Sequence, residues 1–317
     1  MVGLVLLLLG YLWRQGQLPW LTPTARALTI HCLDVGQGDS FLIRTPQGKA
    51  VLIDAGPPDA GDDVVRALRR YDVRQLDLLV ATHPHADHIG GMRAVLEAVP
   101  VLRFLDSGQP YPTRTYTRLL EAIKEKGITF HIAEAGQKFE LESGITLDVL
   151  SPQQPLIRGS AGSDENANSI VLRLTAGRFS MLLTGDSEAE TERRLIEAGA
   201  NLSARVLKVA HHGSRFSTTR DFLERVRPEA AIISCGKENE YGHPAQATLN
   251  RLRSYVKEVH RTDLEGEITI VVEGENYRIE TEHAPTGDLW AGRSPRAPDI
   301  GRESVERPSA RGRTAGR

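Results

Sequence analysis

Residues 81–91 read ATHPHADHIGG and pack His83, His85, Asp87 and His88 into six positions. Imidazole nitrogens together with a carboxylate oxygen suit Zn²⁺, Mn²⁺ or Fe²⁺. Cys32 and Cys235 are the chain's 2 cysteines, too few for a thiolate zinc site or a disulfide framework. An apolar run, LDLLVATH, leads into the cluster and reads as a buried strand over 76–83. Residues two apart in a strand point the same way, so His83 and His85 are expected to face one ion. Asp87 and His88 fall in the turn that follows and are expected to face a second. Gly90 and Gly91 would let the backbone come close to the site as the next helix starts. The competing account, surface histidines in a polar loop, fits poorly with a buried strand running straight into them.

Four ligands do not close two sites, so the remainder should sit at other strand ends. LLTGD ends an apolar run at Asp186. An aspartate there either caps the next helix or bridges two cations held ~3.5–4 Å apart, as two-metal hydrolysis needs. VLKVAHHGS brings His211 and His212 to another strand end. Adjacent strand residues point to opposite faces, which makes His212 the expected ligand and His211 a supporting side chain lining the site, with the order of the two left open. Asp54 in LIDAG is placed to orient a ligand histidine through its far N–H. In DVGQGDS, Gly36 and Gly38 make a turn that brings in Asp39. NEYGHP and the Ser after HHG supply expected substrate contacts from Ser214, Asn239, Tyr241 and His243. His243 is suited to donate to a phosphate oxygen or to protonate a leaving group, although Gly242 and Pro244 also make it a plain turn residue. Two cations sharing a water lower its pKa toward neutrality, which predicts a hydrolase with Asp87, His211 and His243 as candidate catalytic side chains. The cofactor expectation is two divalent cations, Zn²⁺ or Mn²⁺.

The elements that must hold these residues alternate along the chain. Strands are expected at 27–35, 40–45 and 49–56, then a helix at 62–71, the strand into His83 and a helix at 90–99. Further strands fall near 101–105, 128–132 and 145–150, with a helix at 117–127 ending on Gly127. Residues 169–186 read as a hairpin turning at Ala176-Gly177. Helix 187–198, strand 205–210, helix 218–226, strand 229–234, helix 245–257 and two or three last strands complete the order. Such a sequence predicts an α/β chain with two sheets covered by helices on their outer faces.

With 317 residues and 40% hydrophobic content, the chain suits one large domain. A formal net charge of −2 gives no global field toward nucleic acid or lipid. Aromatics at 5% argue mildly against extensive base stacking. Residues 2–12, VGLVLLLLGYL, fall short of the ~20 residues needed to cross a bilayer as a helix, but with the stretch to Leu21 an anchor is just long enough. Hence 1–26 is expected to be an apolar segment and linker, 27–283 the folded domain, and 284–317 a disordered Arg/Pro-rich tail. The expected location is membrane-anchored or extracytoplasmic, with a cytoplasmic one left open, and the oligomeric state is not legible.

HPHADH, LIDAG, TGD and the later HH together resemble the metallo-β-lactamase fold, over residues 27–282. That resemblance implies an αββα four-layer sandwich with a dinuclear site between the sheets. DVGQGDS, KVAHHGS, SCG…NEYGHP and TDLEGEI narrow it to the C-terminal hydrolase domain of the ComEC competence family. A metal histidine usual in the wider fold falls near Asn168 here, and relatives with the HHG motif also lack it. Asn168 is therefore expected beside the metals rather than on them. The family resemblance implies a phosphodiesterase or nuclease acting on single-stranded DNA in competence, with three settings open: a separated hydrolase domain, a partner of a separate membrane channel protein, or an unrelated secreted or anchored enzyme. The alternative is a hydrolase of a non-nucleic-acid phosphodiester, of phosphorylcholine type, or of a lactone.

Overall fold

The structure is a computed structural model and describes residues 27–294. The strands are β1 (Leu28–Cys32), β2 (Phe41–Arg44), β3 (Ala50–Ile53), β4 (Leu78–Ala81), β5 (Arg103–Asp106), β6 (Thr129–Ile132), β7 (Lys138–Glu142), β8 (Ile145–Ser151), β9 (Val171–Ala176), β10 (Phe179–Leu183), β11 (Val206–Lys208), β12 (Ala230–Ile233), β13 (Glu258–Arg261), β14 (Ile268–Glu273) and β15 (Asn276–Thr281). They form an 8-stranded sheet, ordered β15-β14-β1-β2-β3-β4-β5-β6, and a 7-stranded sheet, ordered β13-β12-β11-β10-β9-β8-β7. The helices are α1 (Gly61–Arg70), α2 (Ala86–Ile89), α3 (Met92–Ala98), α4 (Arg114–Glu125), α5 (Asp164–Ala167), α6 (Ala189–Glu197), α7 (Arg220–Val226), α8 (Gln246–Leu252) and α9 (Thr262–Glu265).

Strand periodicity explains the four layers. Val51 and Ile53 of β3 point between the sheets, where Ile30, Phe41 and Val80 meet Leu172, Met181 and Leu183. Ala50 and Leu52 point the other way, onto Val64 and Leu68 of α1 and Met92 and Val95 of α3. On the second sheet, Leu207, Ala231 and Ile233 pack under Phe222 and Leu223 of α7 and Leu249 of α8. Strands buried on both faces are apolar throughout, which is why AVLI and LLVA read as unbroken runs. This is the expected αββα sandwich. Cys32 and Cys235 are both free and buried.

In the first sheet β3, β4 and β5 run parallel, and in the second β10, β11 and β12 do. Asp54, His83, Asp186 and His211 all follow the carboxyl ends of such strands, the place where open parallel sheets gather ligands.

Three expectations change. Strand β7 was not anticipated, because KFELE has a single buried residue and no apolar run. Residues 284–294, assigned by composition to the tail, are held to the domain: Arg261 Nη1 donates to the Leu289 and Ala291 carbonyls, and Arg293 Nε donates to Asp263. The membrane-anchored location is also corrected. Among the described residues no helix is long and apolar enough to cross a membrane, and the longest, α4, has 12 residues against the roughly 20 required. The apolar run 2–12 that suggested an anchor lies outside the described residues.

Candidate metal centre

The sequence ADHI does not merely precede a helix; it is one turn of helix, α2. Asp87 and His88 project from it toward the second sheet. Gly90 and Gly91 serve this turn differently from expected. A Cβ on Gly90 would sit 2.3 Å from Pro58 N, and one on Gly91 2.2 Å from Ala55 O. These glycines let α2 press against the backbone after β3, not against the metal site itself.

Four predicted ligands meet. Asp87, His88, Asp186 and His212 each offer an atom, all within 4.8 Å of one another. His88 Nε2 is 3.4 Å from Asp186 Oδ1, and His212 Nε2 is 3.3 Å from Asp186 Oδ2 and 3.4 Å from Asp87 Oδ2. His83 and His85 stand beside this group. His83 Nε2 faces His85 Nδ1 at 3.1 Å, and the His83 and His88 ring centroids are 4.1 Å apart. They converge from a loop, since β4 ends at Ala81, so strand alternation is not what aligns them.

Each central imidazole is oriented from behind. His88 Nδ1–H donates to Asp54 Oδ2 at 2.8 Å, and Asp54 in turn accepts from Thr82 N and Thr82 Oγ1. His212 Nδ1–H donates to the Ser234 carbonyl at 2.9 Å. In both rings Nε2 is left aimed at the centre, the arrangement that fixes a metal-ligand tautomer. Asp54 adopts a left-handed backbone, as do His211 and His212. The histidine pair therefore separates through a left-handed turn and not by strand alternation, with the rings 6.1 Å apart at 73°. For residues with a Cβ this conformation is costly and concentrates at functional sites.

Sequence reasoning missed Lys208, which is 1% exposed. Its ammonium lies 2.5 Å from Asp39 Oδ2 and 3.7 Å from Asp186 Oδ1, and it donates to the Gly185 carbonyl. Asp39 thus sits where expected, behind His212 Nδ1 at 3.5 Å, but as half of a buried ion pair. Asp39, Asp54 and His88 form a second group of potential ligands. Thr82 and Lys208 already engage its carboxylates, which favours a supporting role for it.

The electrostatics ask for cations. Asp39, Asp54, Asp87 and Asp186 gather around the two central imidazoles, and the buried Lys208 ammonium faces only Asp39 and Asp186 among them. Burial alone would raise Asp186, but His212, His88 and His211 hold its carboxyl well below the usual range. Burial lowers His88 and His212, and the surrounding carboxylates override it and push both well up. Burial holds His83 well down. The buried atoms Asp186 Oδ1, His88 Nε2 and His212 Nε2 make no hydrogen bond among the described residues. Buried polar atoms are rarely left so, and unfilled nitrogen and oxygen donors around excess negative charge are what divalent cations satisfy.

The remaining predictions divide. A cavity of about 540 Å³ over the centre is lined by His85, Asp87, Asp186, His211, Tyr241 and His243, among others. His211 Nε2 is 3.7 Å from Asp186 Oδ2. The His243 ring stacks near Tyr241 and lies 5.4 Å from that of His211. Burial, then the His212 and His211 rings, hold His243 down at about 3, so it is neutral at neutral pH. Three residues do other work than expected. Ser214 is buried, and its hydroxyl accepts from Phe216 N. Asn239 clamps the loop that carries His243, donating to its carbonyl and accepting from its N–H. Asn168 points away: its amide bonds the Ile157 backbone twice. Its neighbour Asn166 faces the centre instead, with Nδ2 3.4 Å from His211 Nε2 and a buried Oδ1 unpartnered among the described residues.

A family model described as the Metallo-beta-lactamase superfamily matches residues 33–237. ComE operon protein 3 of Bacillus subtilis (strain 168) is 33% identical over 256 residues, which are 75% of this chain and 32% of that protein. Competence protein ComA of Neisseria gonorrhoeae is 35% identical over 265 residues, 83% of this chain and 34% of that protein. The chain thus spans about a third of the length of the curated relatives it matches. CmlA, a diiron β-hydroxylase from Streptomyces venezuelae, superposes with a TM-score of 0.52 at 12% identity, over 79% of this chain and 55% of that one. At that identity the likeness concerns the fold alone.

Proposed function

Because the chain belongs to the metallo-beta-lactamase superfamily, we propose that it is a metal-dependent phosphodiesterase acting on single-stranded DNA. Asp87, His88, Asp186 and His212, with His83 and His85 beside them, fit the dinuclear site that metallo-β-lactamase-fold hydrolases carry. The observation that carries the reading is the meeting of unpartnered His88 Nε2, His212 Nε2 and Asp186 Oδ1 in a chain similar to competence proteins. DNA as substrate rests on that similarity, and a separate channel protein as partner is an extension of it.

His83, His85, Asp87, His88, Asp186 and His212 would hold two cations, Zn²⁺ or Mn²⁺. Bound there, the cations would supply a water acidified to near neutrality and stabilise charge on the scissile phosphate. The chain's own residues do the rest. Asp54 and the Ser234 carbonyl keep His88 and His212 in the ligand tautomer. Lys208 balances Asp39 and stands 3.7 Å from Asp186. His211 and neutral His243 line the cavity and offer N–H groups to phosphate oxygens. Asn239 holds the His243 loop for that contact.

The test is hydrolysis of end-labelled single-stranded DNA by the full chain with Mn²⁺, Zn²⁺ or EDTA, beside bis-p-nitrophenyl phosphate. Metal-dependent cleavage of both, lost in Asp186→Ala, is expected. Cleavage of the small diester without DNA would replace the nuclease by a phosphodiesterase for smaller substrates, and silence on both with metal bound would point to a lactone or other ester.

A further inference from the structure

The metal cavity has a neighbour. Ser160, Gly162, Glu188, Arg193 and Phe216 wall a cavity of about 600 Å³, within the roughly 300–1,000 Å³ typical of small-ligand sites. It begins one side chain from the metal ligands: Glu188 Oε1 is 3.9 Å from His211 Nδ1, and His211 Nε2 is 3.7 Å from Asp186. We propose that this cavity is a nucleobase subsite, taking the base of the nucleotide beside the scissile phosphate while Arg215 takes the next phosphate along the strand. This rests on the nuclease reading and extends it.

Three observations favour a base. First, Phe216 is 63% exposed and Tyr241 58%, the two most exposed large apolar or aromatic side chains among the described residues. One lines this cavity and the other lines the metal cavity. Two exposed aromatics thus lie where a base would need them. Second, the Phe216 backbone is pinned on both sides. Its N–H donates to Ser214 Oγ and its carbonyl accepts from Ala189 N, each at 3.3 Å. The backbone that carries the exposed ring is set in place in advance, which removes that part of the ordering cost of stacking. Third, the charges sort the ligand's parts. Arg193 in the cavity wall is paired with Glu197 and Glu190, so Glu188 is left to repel a phosphate and to accept neutral N–H donors. Arg215, its guanidinium 4.7 Å from the Phe216 ring centroid, repels a quaternary ammonium and attracts a phosphate at the rim. A neutral π-system tethered to an anion meets all three conditions; a choline head suits Glu188 and the ring but is opposed by Arg215.

The full chain with Mn²⁺ would be assayed on a single-stranded oligonucleotide, bis-p-nitrophenyl phosphate and p-nitrophenyl phosphorylcholine. Phe216→Ala is expected to lower the ratio of DNA to small-diester kcat/KM about tenfold, the scale of one base–aromatic stack. Phe216→Trp should retain the ratio. An abasic residue beside the mapped cut should cost the wild type the same factor and cost Phe216→Ala nothing more. An unchanged ratio in an enzyme that cuts DNA, losses that multiply, or a loss confined to phosphorylcholine would overturn the subsite while leaving the nuclease standing. A wild type that cuts no DNA would overturn the nuclease reading, and the subsite with it.

Discussion

Two buried charge clusters lie at strand ends of this molecule, and they are built on opposite principles. Around Arg261, partners are complete. Its Nε and Nη2 donate to the two oxygens of Asp263, its Nη1 donates to two carbonyls, and its backbone N–H donates to Glu265 Oε2. Around Asp186, donors and acceptors are left over: Asp186 Oδ1, His88 Nε2 and His212 Nε2 find none among the described residues. Backbone follows the same division. His211 and His212 sit in left-handed conformations beside the second cluster, whereas Arg261 begins α9 from an ordinary extended one. A buried charge with matched partners ties segments together; one with surplus ligand atoms and strained backbone is organised around something it must receive.

The largest effect should come from emptying the second cluster. Asp186→Ala removes the carboxylate that faces His88, His212 and Lys208 at once. Bound cations contribute several kcal/mol of transition-state stabilisation, so kcat should fall by about a thousandfold or more. In the wild type, metal at about 100 times its Kd should add about 2.7 kcal/mol to stability in urea unfolding, and in the variant it should add little. The chain should still fold. A variant that keeps both metal-linked stabilisation and activity would erase the contrast between the clusters.

The reverse experiment removes a matched partner. Asp263→Ala leaves Arg261, which is 1% exposed, without its carboxylate. Breaking a buried pair in this way costs about 3–5 kcal/mol. The urea midpoint should drop accordingly, while metal affinity, measured by titration of protein still folded, should stay as it was. Loss of metal binding in a folded Asp263→Ala would show that the clusters are coupled.

How far the sequence reveals this division depends on how local each signal is. HPHADH is contiguous, and the strand ends at Asp54, Asp186 and His212 are marked by apolar runs that exist because both sheet faces are covered. Those residues were therefore legible. Lys208 was not: inside VLKVA it reads as a stray polar residue, and only the pairing of the sheets brings it to Asp39. The choice between Asn166 and Asn168 turned on a single helical turn, α5. Its cap, the Ser163 hydroxyl accepting from Glu165 N and Asn166 N, was present in the sequence as Ser-Asp-Glu and would have shown the turn. His212 is the expected ligand and does join the ligand group; only the reason differs, since the two rings part through a left-handed backbone and not by strand alternation. Strand β7 was hidden by its polarity. Of the Arg261 cluster, Asp263 and Glu265 lie beside it in TDLEGEI, but its completeness does not show in the sequence, because the carbonyls of 289 and 291 come from a stretch that composition assigns to a tail.

The smallest effect concerns the edge of the matched cluster and reads the same contrast through pH. His260 Nδ1 is 3.2 Å from Glu265 Oε1, and its Nε2 is 3.7 Å from Glu258. Burial by itself would lower this imidazole, but the two carboxylates outweigh it and raise its pKa above the ordinary value. The folded state therefore holds the proton more tightly than the unfolded chain, whose histidine titrates near about 6.5. The stabilisation is fully present below that pH and is lost as pH rises through the higher folded value. His260→Gln keeps a hydrogen-bonding side chain and removes the titration. With EDTA present throughout, urea midpoints taken from pH 5.5 to 9 should show the wild type losing its advantage over the variant as pH rises. A constant difference between the two proteins would mean that Glu265 serves only Arg261, and that the matched cluster ends one residue sooner than its geometry suggests.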